Sequence, residues 1–306
     1  MDSKPILVVV TGPTASGKTE LAIRLAEHYH TEIISADSRQ IFRDLPIGTA
    51  APTQQERSRA FHHLVGTHAL DAYYSASQFE TDALAILPSI WAKSPVAVVC
   101  GGSMMYIDAL CRGLDNMPTV SDSTRAYVLS MLEAHGLDGV LAQLKILDPD
   151  YWEEVDRNNT RRVVHAVEIS LEAGVPYSSL RTGRHADRPF RTIKFAIERS
   201  RDELFGRINA RVGRMIADGL EQEARRAFAR GHFNSLNTVG YKEMAAYFDG
   251  TMDFDTAVAR IAKNTRVYAK KQLTWMNRDP EIIRLAPDEA LAASIAAIDS
   301  LLICNL

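Results

Sequence analysis

Cysteine is scarce in this chain. There are three in 306 residues, Cys100, Cys111 and Cys304, odd in number and never spaced as C-x-x-C. That pattern excludes a disulfide framework and a zinc module and fits a reduced cytoplasm. Long apolar runs are also missing. The first, Ile6 to Val10, is far too short to cross a bilayer, and no basic stretch with a small-residue cleavage site follows it. Neither a membrane span nor a secretory signal is expected. Internal repeats and low-complexity segments are absent. Charge of one sign is nearly balanced, with a net −3, so the total says nothing about a polyanionic partner.

The distribution of charge says more. Residues 181–214 hold ten Arg/Lys (Arg181, Arg184, Arg188, Arg191, Lys194, Arg199, Arg201, Arg207, Arg211, Arg214) against four acids, and residues 257–278 hold six and no acid. Two local basic fields are expected. In the second, Arg260, Lys263, Arg266 and Lys270 recur at helical spacing opposite Val258, Ile261, Tyr268 and Gln272, which favours a polyanion over a merely solvated face.

What is present begins with "VTGPTASGKTEL". It fits G-x-x-x-x-G-K-[ST] from Gly12 to Thr19, after an apolar β-branched run and before a helical period. Strand, loop and helix in that order make a phosphate-binding loop, with backbone N–H groups and the helix N-terminus aimed at the anion. Gly12, Pro13, Thr14, Ala15, Ser16, Gly17, Lys18 and Thr19 are the candidate phosphate-binding residues, and the motif does not say what group carries the phosphates. Lys18 supplies charge, and the Thr19 hydroxyl is the candidate ligand for Mg2+. "TEIISADS" and "SPVAVVCGGS" read as further short strands. Strands alternating with helices give an α/β fold, a P-loop NTPase-like parallel sheet core. Residues 1–114 and 201–306 are assigned to that core and 115–200 to an inserted, mostly helical domain. Its helices are "TVSDSTRAYVLSMLEAHG", closed by Gly136, and "NNTRRVVHAVEISLEAGVP", closed by Gly174 and Pro176.

In such sheets ligands sit at the carboxyl ends of the strands. Asp37 and Ser103 fall at two of those ends and are the first candidates for chemistry. Gly101 and Gly102 before Ser103 permit close backbone approach. The acid that phosphate-loop ATPases usually carry after a second apolar strand is missing, since "VAVVC" runs into Gly101-Gly102-Ser103. An ATPase motor is disfavoured. His62-His63 has no third ligand at useful spacing and reads as a structural pair.

The ordered strings "GPTASGKT", "EIISADSRQIF", "PIGTAAPT", "HHLVGT", "YSASQF", "GGSMMY" and "NSLNTVGYKE…AKKQLTWMNRD" resemble the bacterial tRNA dimethylallyltransferases, also called tRNA isopentenyltransferases, from about Pro5 to Pro280. The resemblance implies transfer of a dimethylallyl group from dimethylallyl diphosphate to N6 of the adenosine next to the anticodon, with release of diphosphate. It implies that Asp37 accepts the N6 proton, that Ser103 (usually Thr) contacts diphosphate and the target nucleotide, and that Arg207 steadies the diphosphate. It matches Asp37, Ser38, Arg39, Gln40, Ser103, Arg125, Arg161, Arg162, Val163, Val164 and His165 to tRNA-contacting positions. The insertion would grip the anticodon stem-loop of a tRNA. A cytoplasmic, Mg2+-using monomer with no membrane partner is expected. Phe42 replaces the more usual Tyr, and Arg161 and His165 stand where Gln and Arg are more usual. Two other classes fit the loop: a small-molecule or nucleotide kinase, with 115–200 as a lid, and a non-enzymatic RNA-binding NTP switch. The seam near "GGSMMYIDAL" is the expected place for the prenyl tail.

Overall fold

The computed structural model of the protein describes residues 4–183 and 186–303. Cys304 and Arg184 lie outside the described residues. The first half of the core runs β1 (Ile6–Thr11), α1 (Lys18–His28), β2 (Ile33–Ser35), α2 (Gln54–Arg59), β3 (His62–His63), α3 (Ala76–Trp91), β4 (Val96–Cys100) and α4 (Met104–Arg112). A helical unit follows: α5 (Asp122–Leu147), α6 (Pro149–Glu154), α7 (Thr160–Ala173) and α8 (Tyr177–Leu180). The core then resumes with β5 (Arg191–Ile197), α9 (Arg201–Ala217), α10 (Leu220–Phe228), α11 (Tyr241–Phe248), α12 (Phe254–Met276), β6 (Ile282–Leu285) and α13 (Ala290–Ile303).

The sheet has the order β3-β2-β4-β1-β5-β6, and every neighbouring pair is parallel. β1 carries no polar alternation because both of its faces are covered. Leu7 and Val9 enter one apolar cluster with α3, α4 and the C-terminal helices, while Ile6, Val8 and Val10 enter the other with α1 and α13. The chain moves from β1 to one side of the sheet and later returns to its other side as β5. The phosphate loop after β1 therefore lies where the strand order reverses, the crevice in which open α/β sheets bind ligands.

The structure corrects the expected boundary at 115–200. The helical unit is residues 113–186, and residues 187–200 belong to the core. "RTIKFAI" is a central strand, five residues of which pair in register with Ile6 to Val10. Its pattern was masked by Lys194, a charge in the middle of an apolar run. Lys194 is 3 % exposed, and its ammonium donates to Asp279 at 2.8 Å and Glu281 at 2.8 Å.

The helical unit has its own apolar cluster, built on Val128, Val140, Leu144, Tyr151, Val155, Val163, Ala166 and Val167. The Ser121 hydroxyl caps α5 by accepting from the Thr124 amide. Gly136, at φ 63° and ψ −169°, breaks the helix where a closing glycine was expected, and the chain then resumes helical geometry to Leu147. Asp148, fully buried, accepts from the Tyr151 amide and from both the amide and hydroxyl of Ser178. Gly174 closes α7 in the left-handed conformation.

The first of the two expected basic fields is largely dispersed. Arg181 pairs with Glu154, Arg188 with Glu80, and Lys194 with Asp279 and Glu281. Arg199 pairs with Glu203, and Arg207 donates to a backbone carbonyl. The second field survives on α12, where Arg260, Lys263, Lys270 and Lys271 are exposed and have no acid partner among the described residues.

Candidate active site

The phosphate loop is held open by backbone geometry and by cations from α9 and the turn before it. Gly12 and Gly17 adopt φ 149° and 104°, values that favour glycine, and Ala15 shares the left-handed region at φ 65°. Three arginines bind the loop. Arg199 donates to the Ser16 carbonyl at 2.6 Å, Arg207 to the Ala15 carbonyl at 2.7 Å, and Arg211 to the Thr14 hydroxyl at 3.2 Å. These bonds bring positive charge to the loop. Lys18 reaches back to the Pro13 carbonyl at 3.4 Å. Burial holds its ammonium below the ordinary lysine value; Arg211 adds repulsion and Asp37 opposes it. Burial likewise lowers Arg211, with Asp37 acting against the shift. Lys18, Arg211 and Asp37 thus share one electrostatic environment.

Asp37 lies just beyond the end of β2. Its Oδ1 accepts from the amides of Arg39 at 2.9 Å and Gln40 at 3.3 Å, which pins the turn. Its Oδ2 makes no hydrogen bond among the described residues. Ser103 is nearly buried, and its hydroxyl oxygen accepts from the Ser38 amide at 2.8 Å while its own amide donates to the Ala36 carbonyl at 3.2 Å. Asp37 and Ser103, far apart in sequence, are therefore stitched together through residues 36–38.

The two glycines before Ser103 give the close approach expected of them, and what approaches is protein. A Cβ at Gly101 would lie 2.0 Å from the Ala36 carbonyl oxygen, and one at Gly102 would lie 2.2 Å from Gln272 Nε2. They make room for protein backbone and for Gln272. Gln272 is 3 % exposed; it accepts from the Thr14 amide and donates to the Gly102 carbonyl, both at 2.9 Å.

A cleft of about 760 Å3 opens beside the loop. It is bounded by Ala15, Lys18 and Thr19, by the apolar segment Pro46, Ile47 and Ala50–Pro52, and by Ala210, Arg211 and Met215 of α9. The seam near "GGSMMYIDAL" is instead filled, because Tyr106, Ile107, Ala109 and Leu110 are packed in the core. Phe42 is buried in that same core.

Thr19 is half-buried at the head of α1, and burial pushes the nearby Cys100 thiol up to about 11. No cluster of three or more His, Cys, Asp or Glu fit to hold a metal occurs among the described residues. His62 Nδ1 donates to the Ala60 carbonyl and His63 bonds Glu32, so the pair is structural.

The geometry gathers the loop, Asp37, Ser103 and Arg207, with Ser38, Arg39 and Gln40 in the adjoining turn. Arg39 also donates to the Asn234 carbonyl at 3.2 Å, and the Gln40 amide group is bonded on both sides within the core. Arg125, Arg161, Arg162, Val163, Val164 and His165 belong to the helical unit. Arg161, Arg162 and His165 are exposed on α7. Val163 is corrected: it is fully buried in the unit's own cluster, and no side-chain surface is left for a ligand. Sequence reading missed Arg199, Arg211 and Gln272. Arg211 had a signal, four residues after Arg207 and so on the same helix face.

Comparison with known proteins adds three findings. Residues 40–279 match the family described as IPP transferase. The chain is 53% identical over 286 residues to a protein named tRNA dimethylallyltransferase 2 of Parabacteroides distasonis, covering 94% of this chain and 96% of that one. It is 50% identical over 283 residues to tRNA dimethylallyltransferase 1 of Phocaeicola vulgatus, covering 92% and 94%. Among solved structures, the full-length tRNA isopentenylpyrophosphate transferase of Bacillus halodurans is similar with a TM-score of 0.74 and 29% identity, over 99% of this chain and 98% of that one. A eukaryotic dimethylallyltransferase acting on tRNA shares the fold, with a TM-score of 0.84 and 24% identity over 98% and 80%.

Proposed function

The chain belongs to the IPP transferase family and transfers a dimethylallyl group to tRNA; within that activity we propose that the donor is dimethylallyl diphosphate and the acceptor N6 of the adenosine beside the anticodon. The observation that carries this reading is the Asp37 carboxylate, with one oxygen fixed by its own turn and the other unbonded, in the same electrostatic environment as Lys18 and Arg211.

In the proposed step, N6 forms a bond to the terminal carbon of the dimethylallyl group as the bond from that carbon to the diphosphate oxygen breaks. The diphosphate leaves with the electron pair, and the N6 proton passes to Asp37. Charge that builds on the leaving oxygens is met by loop amides, Lys18, Arg207 and Arg211, all preorganised before substrate arrives. The Ser103 hydroxyl, whose oxygen already accepts from Ser38, keeps its own proton to donate to diphosphate or the target nucleotide. The adenine must leave its stack to reach a site recessed at the strand ends, as enzymes acting on bases require. An anticodon loop offers bases already accessible.

Mg2+ fits this arrangement. Thr19 supplies a single hydroxyl with no carboxylate cluster, the donor set of a cation that arrives with phosphate oxygens and keeps its waters. When bound there, Mg2+ neutralises charge on the diphosphate. Arg125, Arg161, Arg162 and His165 are proposed to meet the anticodon stem-loop, and the exposed cations of α12 to meet its phosphates.

The test is incubation with tRNA, Mg2+ and dimethylallyl diphosphate, followed by nucleoside mass analysis and a diphosphate assay. One dimethylallyl group added per modified adenosine, with equal release of diphosphate, is the expected result. ADP formed from ATP with no added prenyl mass would establish a kinase instead.

A further inference from the structure

Ile47 and Ala50 form part of the apolar wall of the cleft beside the phosphate loop, and the segment that runs between them is fixed from two sides. On one side stands Glu223, in the first turn of α10 and 2 % exposed. Its Oε2 accepts from the Ile47 amide at 2.8 Å, and its Oε1 accepts from the Gly48 amide at 2.8 Å and the Tyr241 hydroxyl at 2.6 Å. On the other side stands Gln40, in the turn pinned by Asp37. Its Nε2 donates to the carbonyls of Ala50 at 3.0 Å and Thr49 at 3.3 Å, and its Oε1 accepts from Ser35 at 3.0 Å.

The fit is tight. Tyr241 is fully buried against Gly48, where a Cβ would stand 2.5 Å from the tyrosine oxygen. Within the segment Ala50 adopts φ 46°, a left-handed conformation that needs outside support in a residue with a side chain. A buried carboxylate bound by two amides and a hydroxyl is far more than local packing needs. Removing the anion would leave two buried amides without acceptors.

We infer that Glu223, with Gln40 opposite it, is a positioning residue that fixes the Ile47–Ala50 wall, and that this wall sets how well the cleft grips the short prenyl tail of the donor. The inference rests on the proposed donor reading, because the wall matters to specificity only if an apolar tail lies against it. A wall held at fixed depth favours a five-carbon tail, and a loosened wall admits a longer one. The Glu223 half of the clamp touches neither the loop amides nor the Asp37 carboxylate, so Glu223 acts on donor binding more than on the chemical step.

The test uses the full chain, wild type beside Glu223→Ala, Glu223→Gln and Tyr241→Phe, in steady-state prenylation of tRNA. Glu223→Ala is expected to raise the KM for dimethylallyl diphosphate by about tenfold, the net worth of one hydrogen bond. Its kcat and tRNA KM should stay within about twofold of wild type, a range small beside the tenfold step. Its preference for dimethylallyl over geranyl diphosphate should fall by a similar factor. Tyr241→Phe keeps both amide bonds and should lie close to wild type, with Glu223→Gln between. Thermal unfolding of each variant is followed alongside, and Tyr241→Phe serves as the folded reference if Glu223→Ala is unstable. A fall in kcat with the donor KM unchanged, an equal rise in the KM for donor and for tRNA, or unchanged donor preference in a folded Glu223→Gln, would overturn the inference. A wild-type chain that modifies no tRNA would overturn the donor reading itself, so the two failures are distinguishable.

Discussion

Thr14 and Gln272, 258 residues apart in the chain, are joined by a 2.9 Å hydrogen bond in which the loop amide donates to the side-chain oxygen. The same side chain donates to Gly102, so one buried amide group ties the phosphate loop to the end of β4. Gln272→Leu keeps the volume and leaves two backbone groups unpaired. It should cost about 2–6 kcal/mol of stability, from roughly 1–3 for each of the two buried groups left unsatisfied. Urea unfolding measures this, and an unchanged midpoint would mean that water replaces the brace.

Asp37→Asn should keep the turn, because the amide oxygen still accepts from Arg39 and Gln40. It removes the base and should slow the chemical step by about 10²–10⁴-fold, the usual worth of a positioned general base. Single-turnover prenylation at saturating donor and tRNA reads that step. A rate within a few-fold of wild type would leave Asp37 with only its turn-forming role.

The part of this site that could be read from the sequence was local. The loop motif needs only eight consecutive residues, and Asp37 and Ser103 follow from strand ends. β5 was not legible, because Lys194 interrupts its apolar run and is tolerated only through Asp279 and Glu281, more than eighty residues on. Glu223 and Gln272 were invisible for the same reason. Their partners, at separations of 176 and 258 residues, are defined by the fold and not by spacing. The two glycines before Ser103 were legible as a close approach, but what approaches is Ala36 backbone and Gln272.

Lys18 gives a pH dependence with a definite sign. Burial lowers its pKa from 10.5 in the free protein, so the folded chain binds fewer protons there than the unfolded one between the lowered value and 10.5. Stability contributed by this group therefore rises with pH through that window. Diphosphate binding favours the charged form and takes up a proton, so donor affinity should fall as pH rises through the lowered value. In Lys18→Met, affinity should be weaker throughout and that slope should vanish. Calorimetric titration with dimethylallyl diphosphate, where its phosphates are fully ionised, reads both.

The Lys194–Asp279 pair, unlike Lys18, has its charged form favoured by the fold at both ends. Burial works against the Asp279 carboxylate, but Lys194, the Glu281 amide and Arg112 outweigh it and lower its pKa below 3.8. Burial also works against Lys194, yet its carboxylate partners raise it above 10.5. Asp279 thus stabilises the fold above its unfolded pKa and loses that contribution as pH falls through the lowered value. Lys194 stabilises below 10.5 and loses its share as pH rises through the raised value. Lys194→Met should cost about 3–5 kcal/mol at neutral pH, the usual penalty for stranding one partner of a buried pair. The gap to wild type should narrow in acid, as denaturant unfolding at several pH values would show.

The exposed stripe of α12 makes the last prediction. Arg260, Lys263 and Lys270 face solvent without acid partners among the described residues. Each phosphate they neutralise releases condensed counterions, so every cation–phosphate pair removed should flatten the logarithmic salt dependence of tRNA binding by roughly 0.7. Reversing all three to Glu should weaken tRNA binding most at low salt and bring the affinities of variant and wild type together at high salt. The KM for dimethylallyl diphosphate should not change, because none of the three cations lines the donor cleft. Filter binding across a salt series, with donor kinetics at saturating tRNA, checks both halves. An unchanged salt slope would make the stripe a solvated helix face, and the tRNA phosphates would then have to be sought on the exposed arginines of α7.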